Sequence, residues 1–305
     1  MIYLFINYFF IMLGVLISLS FLTLVERKLL GYIQVRKGPN KVGLVGVFQP
    51  FSDAIKLFTK EVIFFSSFNK YLFCFSSMMI LVYMLLSWVI LLIFTSDIMF
   101  DLCLLFIFVF FGLSIYLTML MGWSSNSLYS ALGMLRGIIQ SVSYEVSLML
   151  LLTLLILVEM NFSLYNISNF NQSVYEIYNF FSPLSLMFFV SVLGELNRTP
   201  FDFLEGESEL VSGFNIEYSS SFFALIFMAE YGLIIYMSFL WSLFFWGFIN
   251  VFNLFIFVVI MSLIIILIRG VLPRFRYDFM MMMFWKGILP IVLFYYLYIL
   301  GLMMY

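Results

Sequence analysis

The chain has 305 residues, 65% of them hydrophobic and 10% charged, with a net charge of −2 and no histidine. This composition excludes a soluble globular domain, and so small a net charge excludes bulk attraction to nucleic acid. Without histidine, and with only Cys74 and Cys103 in or beside apolar runs, the chain cannot by itself hold a haem, an iron–sulfur cluster or a typical zinc ion, and a disulfide framework is disfavoured.

Apolar runs close to the ~20 residues that cross a bilayer recur throughout. They predict an all-α, polytopic membrane protein: one integral membrane domain over 1–305 with about eight transmembrane helices and one amphipathic interfacial helix. The first span covers 2–25. It has no basic leading region and no small-residue cleavage site, so it reads as a span and not as a removable leader. An inside loop follows over 26–70. ERKLL prolongs the first span, VRKGPNKVG forms a basic turn broken at Gly38-Pro39-Asn40, and Pro50 suits a first helical position. Phe51, Ala54, Ile55 and Phe58 recur at helical spacing, with Ser52, Asp53, Lys56 and Lys60 mostly opposite. That pattern predicts an amphipathic helix in the interface plane. It serves either as a surface anchor or as the wall of a portal for a lipophilic substrate, with Asp53 and Lys56 facing a cavity.

Spans over 71–94, 102–121, 137–158 and 177–193 come next, the last short and carrying Pro183 early. In the fourth span Arg136, Gln140, Ser143 and Ser147 share a face, and Glu145 lies about 180° from Arg136 at 100° per residue. Glu145 therefore needs a partner on another helix or stays protonated. An acidic inside loop occupies 194–218. It holds Glu195, Asp202, Glu205, Glu207, Glu209 and Glu217 against a single opposite charge, Arg198. Pro200 bars Glu195 and Asp202 from one continuous helix, whereas Glu205 and Glu209 share a face if LEGESEL is helical. Such a cluster is a proton-handling site or a solvated loop that docks a basic partner.

Residues 219–268 contain one charge, Glu230. A single helix of that length would reach about 75 Å, far beyond a ~30 Å hydrocarbon core. The segment must double back near Gly247, Asn250 and Asn253, giving spans over 219–243 and 251–268. RGVLPRFRYD then brings Arg269, Arg274 and Arg276 to the inside, as topogenic charges or as a docking surface, before a last span over 284–304. Every Lys and Arg falls on the side of the even-numbered membrane crossings' starts, so the loops obey the positive-inside rule, and Trp123, Trp241, Trp246 and Trp285 fall near interfaces. An ionised acid at mid-membrane costs roughly 2.5–3.5 kcal/mol, so Glu145 and Glu230 are expected to face a bundle interior or a wet path. Acids alone fit a cation/proton transporter subunit or the membrane subunit of a hydrogenase complex as well as a redox-linked pump.

Four stretches carry a more specific signal: ERKLLGYIQVRKGPNKVG with GVFQPFSDAIKLFTKE, GWSSNSLYSALGMLRGIIQSVSYEVSL, GELNRTPFDFLEGESELVSGFNIEY with FMAEY, and RGVLPRFRYD with WK. Together they resemble the NADH–ubiquinone oxidoreductase chain 1 family, the organelle-encoded membrane subunits of respiratory complex I. Abundant Phe, Met and Tyr beside scarce Ala match an AT-rich organelle genome. The resemblance implies a place in the mitochondrial inner membrane, with basic loops toward the matrix and both termini toward the intermembrane space. It implies ubiquinone as substrate, and FMN and iron–sulfur clusters on partner subunits. Glu26, Arg27, Arg36 and Asp53 would belong to the quinone portal or chamber, and Arg198, Asp202, Glu205 and Glu207 would line the cavity and its acidic funnel. Glu145, Glu195, Glu217 and Glu230 would form the carboxylate path for protons. No catalytic residue and no metal ligand is implied on this chain alone. One departure is Gly194 and Leu196, where the family more often places small and polar residues around the glutamate; it bears on local packing and leaves the acid in place.

Overall fold

A backbone in lipid must satisfy its polar groups internally, which helices do. The computed structural model of this chain describes residues 2–64, 66–94, 102–164, 166, 177–204, 206, 213–246 and 251–303. Among them it is all-α. Seven helices are long and apolar enough to span a membrane, and a shorter apolar one lies at Ser182–Glu195. In chain order the helices are α1 (Ile2–Ile33), α2 (Gln49–Thr59), α3 (Lys70–Ser87), α4 (Val89–Phe94), α5 (Cys103–Ser124) and α6 (Leu128–Glu159). Then follow α7 (Ile177–Glu195), α8 (Ser220–Trp246), α9 (Val251–Val271), α10 (Tyr277–Met282) and α11 (Leu289–Met303).

The expected spans all recur, with differences at their ends. ERKLL continues α1 as one helix. The second span is broken at Trp88, which separates α3 from α4. The fourth starts earlier than its apolar run, at Leu128. The eighth begins with α10 and runs through a π-helical turn at Met283–Ile288 into α11. Gly247 and Asn250 lie outside the described residues. Asn253 lies within α9 and is not part of the reversal, because the helix has already resumed at Val251.

Packing centres on α8, the most enclosed span, which meets α1, α2, α3, α7 and α9. On its far side α6 meets α5, α7 and α11. The outer faces of α1 and α11 expose Phe5, Phe10, Phe294 and Leu297, as lipid-facing surfaces do. α2 lies across α1 and α8. Pro50 is buried, while Phe51, Ile55 and Phe58 remain partly exposed, so the amphipathic reading holds. Gly46 sets the approach to α2: its φ is +78°, and a Cβ there would stand 2.3 Å from the Pro39 carbonyl oxygen. Trp123, Trp246 and Trp285 are exposed. Trp241 is half-buried and its indole donates to the Ser185 carbonyl at 3.3 Å.

Candidate functional site

Two cavities flank α8. The first, of about 320 Å³, lies between α1, α2 and α8. Its walls are mostly apolar, from Leu16 and Leu19 of α1 through Ala54 and Leu57 of α2 to Phe227 of α8. At one end Arg27 and Asp53 form an ion pair that joins α1 to α2. Gln49 fixes the second Asp53 oxygen by donating its Nε2–H at 2.9 Å. The α2 residues that face this cavity are Pro50, Asp53, Ala54, Leu57 and Phe58. Lys56 is not among them, contrary to expectation: the lining face is set by where α2 leans on α1 and α8, and Lys56 projects from the exposed side.

The second cavity, of about 70 Å³, is the more polar of the two, although apolar groups still form most of its wall, and lies between α3, α5, α6, α8 and the segment after α7. A space of this size holds a few waters. Glu195 and Glu230 both line it. Glu195 is buried at the end of α7 and bonds the Tyr144 hydroxyl; Ser114, on the same cavity wall, donates its hydroxyl to the Phe111 carbonyl at 2.8 Å. Adjacent residues on a helix point about 100° apart, and α8 uses this to divide the two spaces: Glu230 lines the polar cavity and Tyr231 lines the apolar one.

The shared wall carries a buried ion cluster. Arg198 donates to Glu26 Oε1 at 3.3 Å, Arg269 bonds the same oxygen, and the Arg198 guanidinium lies 4.7 Å from the centre of the Tyr231 ring. Burial opposes the charge on Arg198, but Glu26, Tyr231 and Glu230 outweigh it and hold its pKa above the usual guanidinium range. The cation is therefore permanent.

The segment that presents Glu195 and Arg198 is held from below. Gln140 of α6 donates to the carbonyls of Gly194 (3.1 Å) and Phe201 (2.9 Å) and so acts as a clamp, whereas Ser143 and Ser147 of the same predicted stripe bond carbonyls within α6. The Phe275 amide donates to the Pro200 carbonyl at 3.0 Å, and Arg274 pairs with Asp202 at 3.5 Å. Arg269 and Arg274 are thus internal ties and not only topogenic charges, whereas Arg276 pairs locally with exposed Asp278. Gly194 fits because a Cβ would meet the Tyr144 ring at 3.1 Å, and Leu196 is buried. Tyr218 closes the far end of this segment. It stacks on Phe73 at 4.1 Å and bonds Ser76 and Ser124. Burial outweighs those two hydrogen bonds and pushes its phenol up, so it stays neutral.

The remaining expected residues are scattered. Glu26 sits in the wall and not in the apolar cavity, while Arg27 and Asp53 line that cavity. Arg36 is exposed and donates to Gln34. Glu145 lies on the α5-facing side of α6, its Oε1 3.6 Å from where a Gly112 Cβ would be, half-buried and within electrostatic reach of Glu195. Glu217 is half-buried in the turn before α8 and lines neither cavity. Glu205, Glu207 and Glu209, with the helix anticipated for LEGESEL, lie outside the described residues. Sequence reasoning placed Gln140 in a polar stripe without its role, and missed Tyr144 and Tyr231; the signal for these two was a polar atom inside an apolar span.

A family model described as NADH dehydrogenase matches residues 6–300. The chain belongs to this family. It is 50% identical to a protein of Locusta migratoria named NADH-ubiquinone oxidoreductase chain 1, over 97% of this chain and 94% of that one. It is 48% identical to the protein of the same name from Aedes aegypti, over 94% and 92%, and 41% identical to that from Mammuthus primigenius, over 94% and 93%. The matched range, 6–300, takes in the residues that line both cavities and the wall between them.

Proposed function

We propose that this chain is a membrane subunit of a proton-pumping NADH:ubiquinone oxidoreductase, forming part of the quinone chamber and the start of the proton path. The observation that carries this reading is the shared wall. An apolar cavity sized for a lipid-like tail touches a polar, carboxylate-lined one through Arg198, Tyr231 and Glu26. The isoprenoid quinone enters between α1, α2 and α8, past the Arg27–Asp53 pair. Arg198 and Asp202, with Glu205 and Glu207, belong to the chamber side, as does Arg36 where the basic turn meets a partner subunit. NADH, FMN and the iron–sulfur chain belong to partner subunits, which deliver electrons to the quinone. The protein is multi-pass in the mitochondrial inner membrane, its basic loops in the matrix and its termini in the intermembrane space.

Reduction of a quinone in a water-poor chamber creates negative charge and draws protons. Electrostatic interactions are strong in such surroundings, so the Glu26–Arg198 wall transmits the change to Glu230 and Glu195. Glu145 and Glu217 extend the carboxylate set toward neighbouring subunits. A cation/proton transporter without a redox substrate would need the polar cavity alone; the apolar cavity beside α2 favours the quinone. The test is proton pumping by the intact complex after Glu230→Gln, Glu195→Gln and Glu145→Gln. Pumping falls in each while quinone still binds; unchanged pumping and turnover in all three removes these acids from the path.

A further inference from the structure

The acidic segment meets α6 at two glycines one helical turn apart, which share a face. At Gly133 the backbones come so close that an added Cβ would stand 3.0 Å from the Gly213 Cα and 3.2 Å from the Phe214 nitrogen. At Gly137 an added Cβ would collide with the Leu204 side chain. Leu204 and Phe214 are both buried. In sequence they stand on either side of Glu205, Glu207 and Glu209. The two ends of this carboxylate run are therefore seated in one notch of one helix.

The notch lies at one end of the more polar cavity, which Leu204, Phe214, Gly137 and Met121 all line. Chain order fixes which end. α5 finishes at Ser124 and α6 starts at Leu128, on the loop side where the acidic segment runs. Of the α5 residues on the cavity wall, Met121 is nearest that side, and Ser114 lies about 10 Å deeper at 1.5 Å per residue. On α6 Gly137 is nearest, and Tyr144 lies about 10 Å deeper by the same rise. Tyr144 bonds Glu195, so the carboxylate belongs to the deep end and the loop end is apolar. Leu204, Phe214 and Met121 are all buried there and none carries an O–H or N–H on its side chain. Protons travel along hydrogen-bonded groups, and these three side chains supply no such link.

We propose that Leu204 is the barrier residue of the proton path. Seated at Gly137 beside Phe214 and Met121, it keeps loop-side water and its protons from Glu195 and Glu230. These acids then answer to charge at the Glu26–Arg198 wall and not to the bulk solution. Excluding water in this way prevents proton leakage around a coupled step. The missing Cβ of Gly137 is what lets Leu204 reach this position.

The inference rests on the proton-path reading above, and its test separates the two. In the intact complex reconstituted into vesicles, Leu204→Ala leaves a gap beside Ser141, Asn197 and Glu195, polar enough for water to enter. Protons moved per quinone reduced are expected to fall at least about twofold, because protons bypass the coupled step, with KM for quinone within about twofold of wild type. A second readout places a thiol on the cavity wall as Ser141→Cys. Its reaction with methyl methanethiosulfonate, read at that residue by mass spectrometry, is expected to quicken at least about tenfold when Leu204→Ala is added, since thiol reactivity follows access. An unchanged proton yield per quinone overturns the inference, and so does a fall in pumping matched by an equal fall in quinone reduction, which marks Leu204 as packing alone. Loss of pumping in Glu195→Gln beside either result leaves the broader reading standing. Should Leu204→Ala fail to assemble, the reporter decides without it. With Leu204 in place, Ser141→Cys is expected to react far more slowly than Leu128→Cys at the exposed start of α6; equal rates end the proposal.

Discussion

Arg198 concentrates the argument into one side chain. It is the lone cation of the acidic segment, it is buried, and its carboxylate partner Glu26 stands 172 residues away in sequence. Removing one member of a buried pair costs about 3–5 kcal/mol, because the remaining charge is left uncompensated. Arg198→Met should therefore lower the thermal stability of the membrane arm and abolish most quinone reduction, read by calorimetry and by NADH:quinone turnover. Arg198→Lys keeps the charge and loses the flat guanidinium over Tyr231, so turnover between wild type and Arg198→Met is expected. Equal activity in all three would remove the wall from the mechanism. The importance of Arg198 was legible from its isolation among acids. Its geometry was not, because the partner is chosen by the crossing of α1 against the segment after α7.

Helices α2 and α8 show how an element gains a role from its neighbours. The periodicity of Phe51, Ala54, Ile55 and Phe58 predicts α2 correctly, and Pro50 marks its start. Which face looks inward depends on where α1 and α8 touch it, so Asp53 faces the cavity and Lys56 does not. Ala54→Phe should fill part of the apolar cavity and raise KM for a long-tailed quinone about tenfold, worth ~1.4 kcal/mol, with a smaller effect on a tail-less analogue. Equal effects on both would place the tail elsewhere. Gly46→Ala puts a Cβ against the Pro39 carbonyl at a positive φ, a conformation that costs about 1–3 kcal/mol in a non-glycine residue. Faster proteolysis of the loop before α2, with the spans still protected, is the expected readout. The break at Trp88 left no clear trace in an unbroken apolar run.

Across the whole molecule, the two cavities make a prediction about location. A photoreactive quinone should label α1 near Leu19, α2 near Ala54 and α8 near Phe227, which line one space. Label confined to α11, on the far side of the bundle, would contradict the portal. The same scale explains why the three arginines in the last turn of α9 and just after it read ambiguously. Their charge satisfies topology wherever they project, while the fold turns Arg269 and Arg274 into ties to Glu26 and Asp202.

Composition and periodicity by themselves determined that the chain is helical, spans a membrane about eight times and sinks carboxylates among apolar side chains. Those properties follow from one-dimensional quantities: transfer free energy per segment and the angular repeat of a helix. Tertiary structure alone decided that Glu195 and Glu230 share a cavity while Glu145 and Glu217 stand outside it, and that Glu26 belongs to a wall. Contacts between distant segments depend on helix crossing and on single atoms such as the missing Cβ of Gly194. No local pattern encodes them, because the energy that selects them arises only when the helices meet.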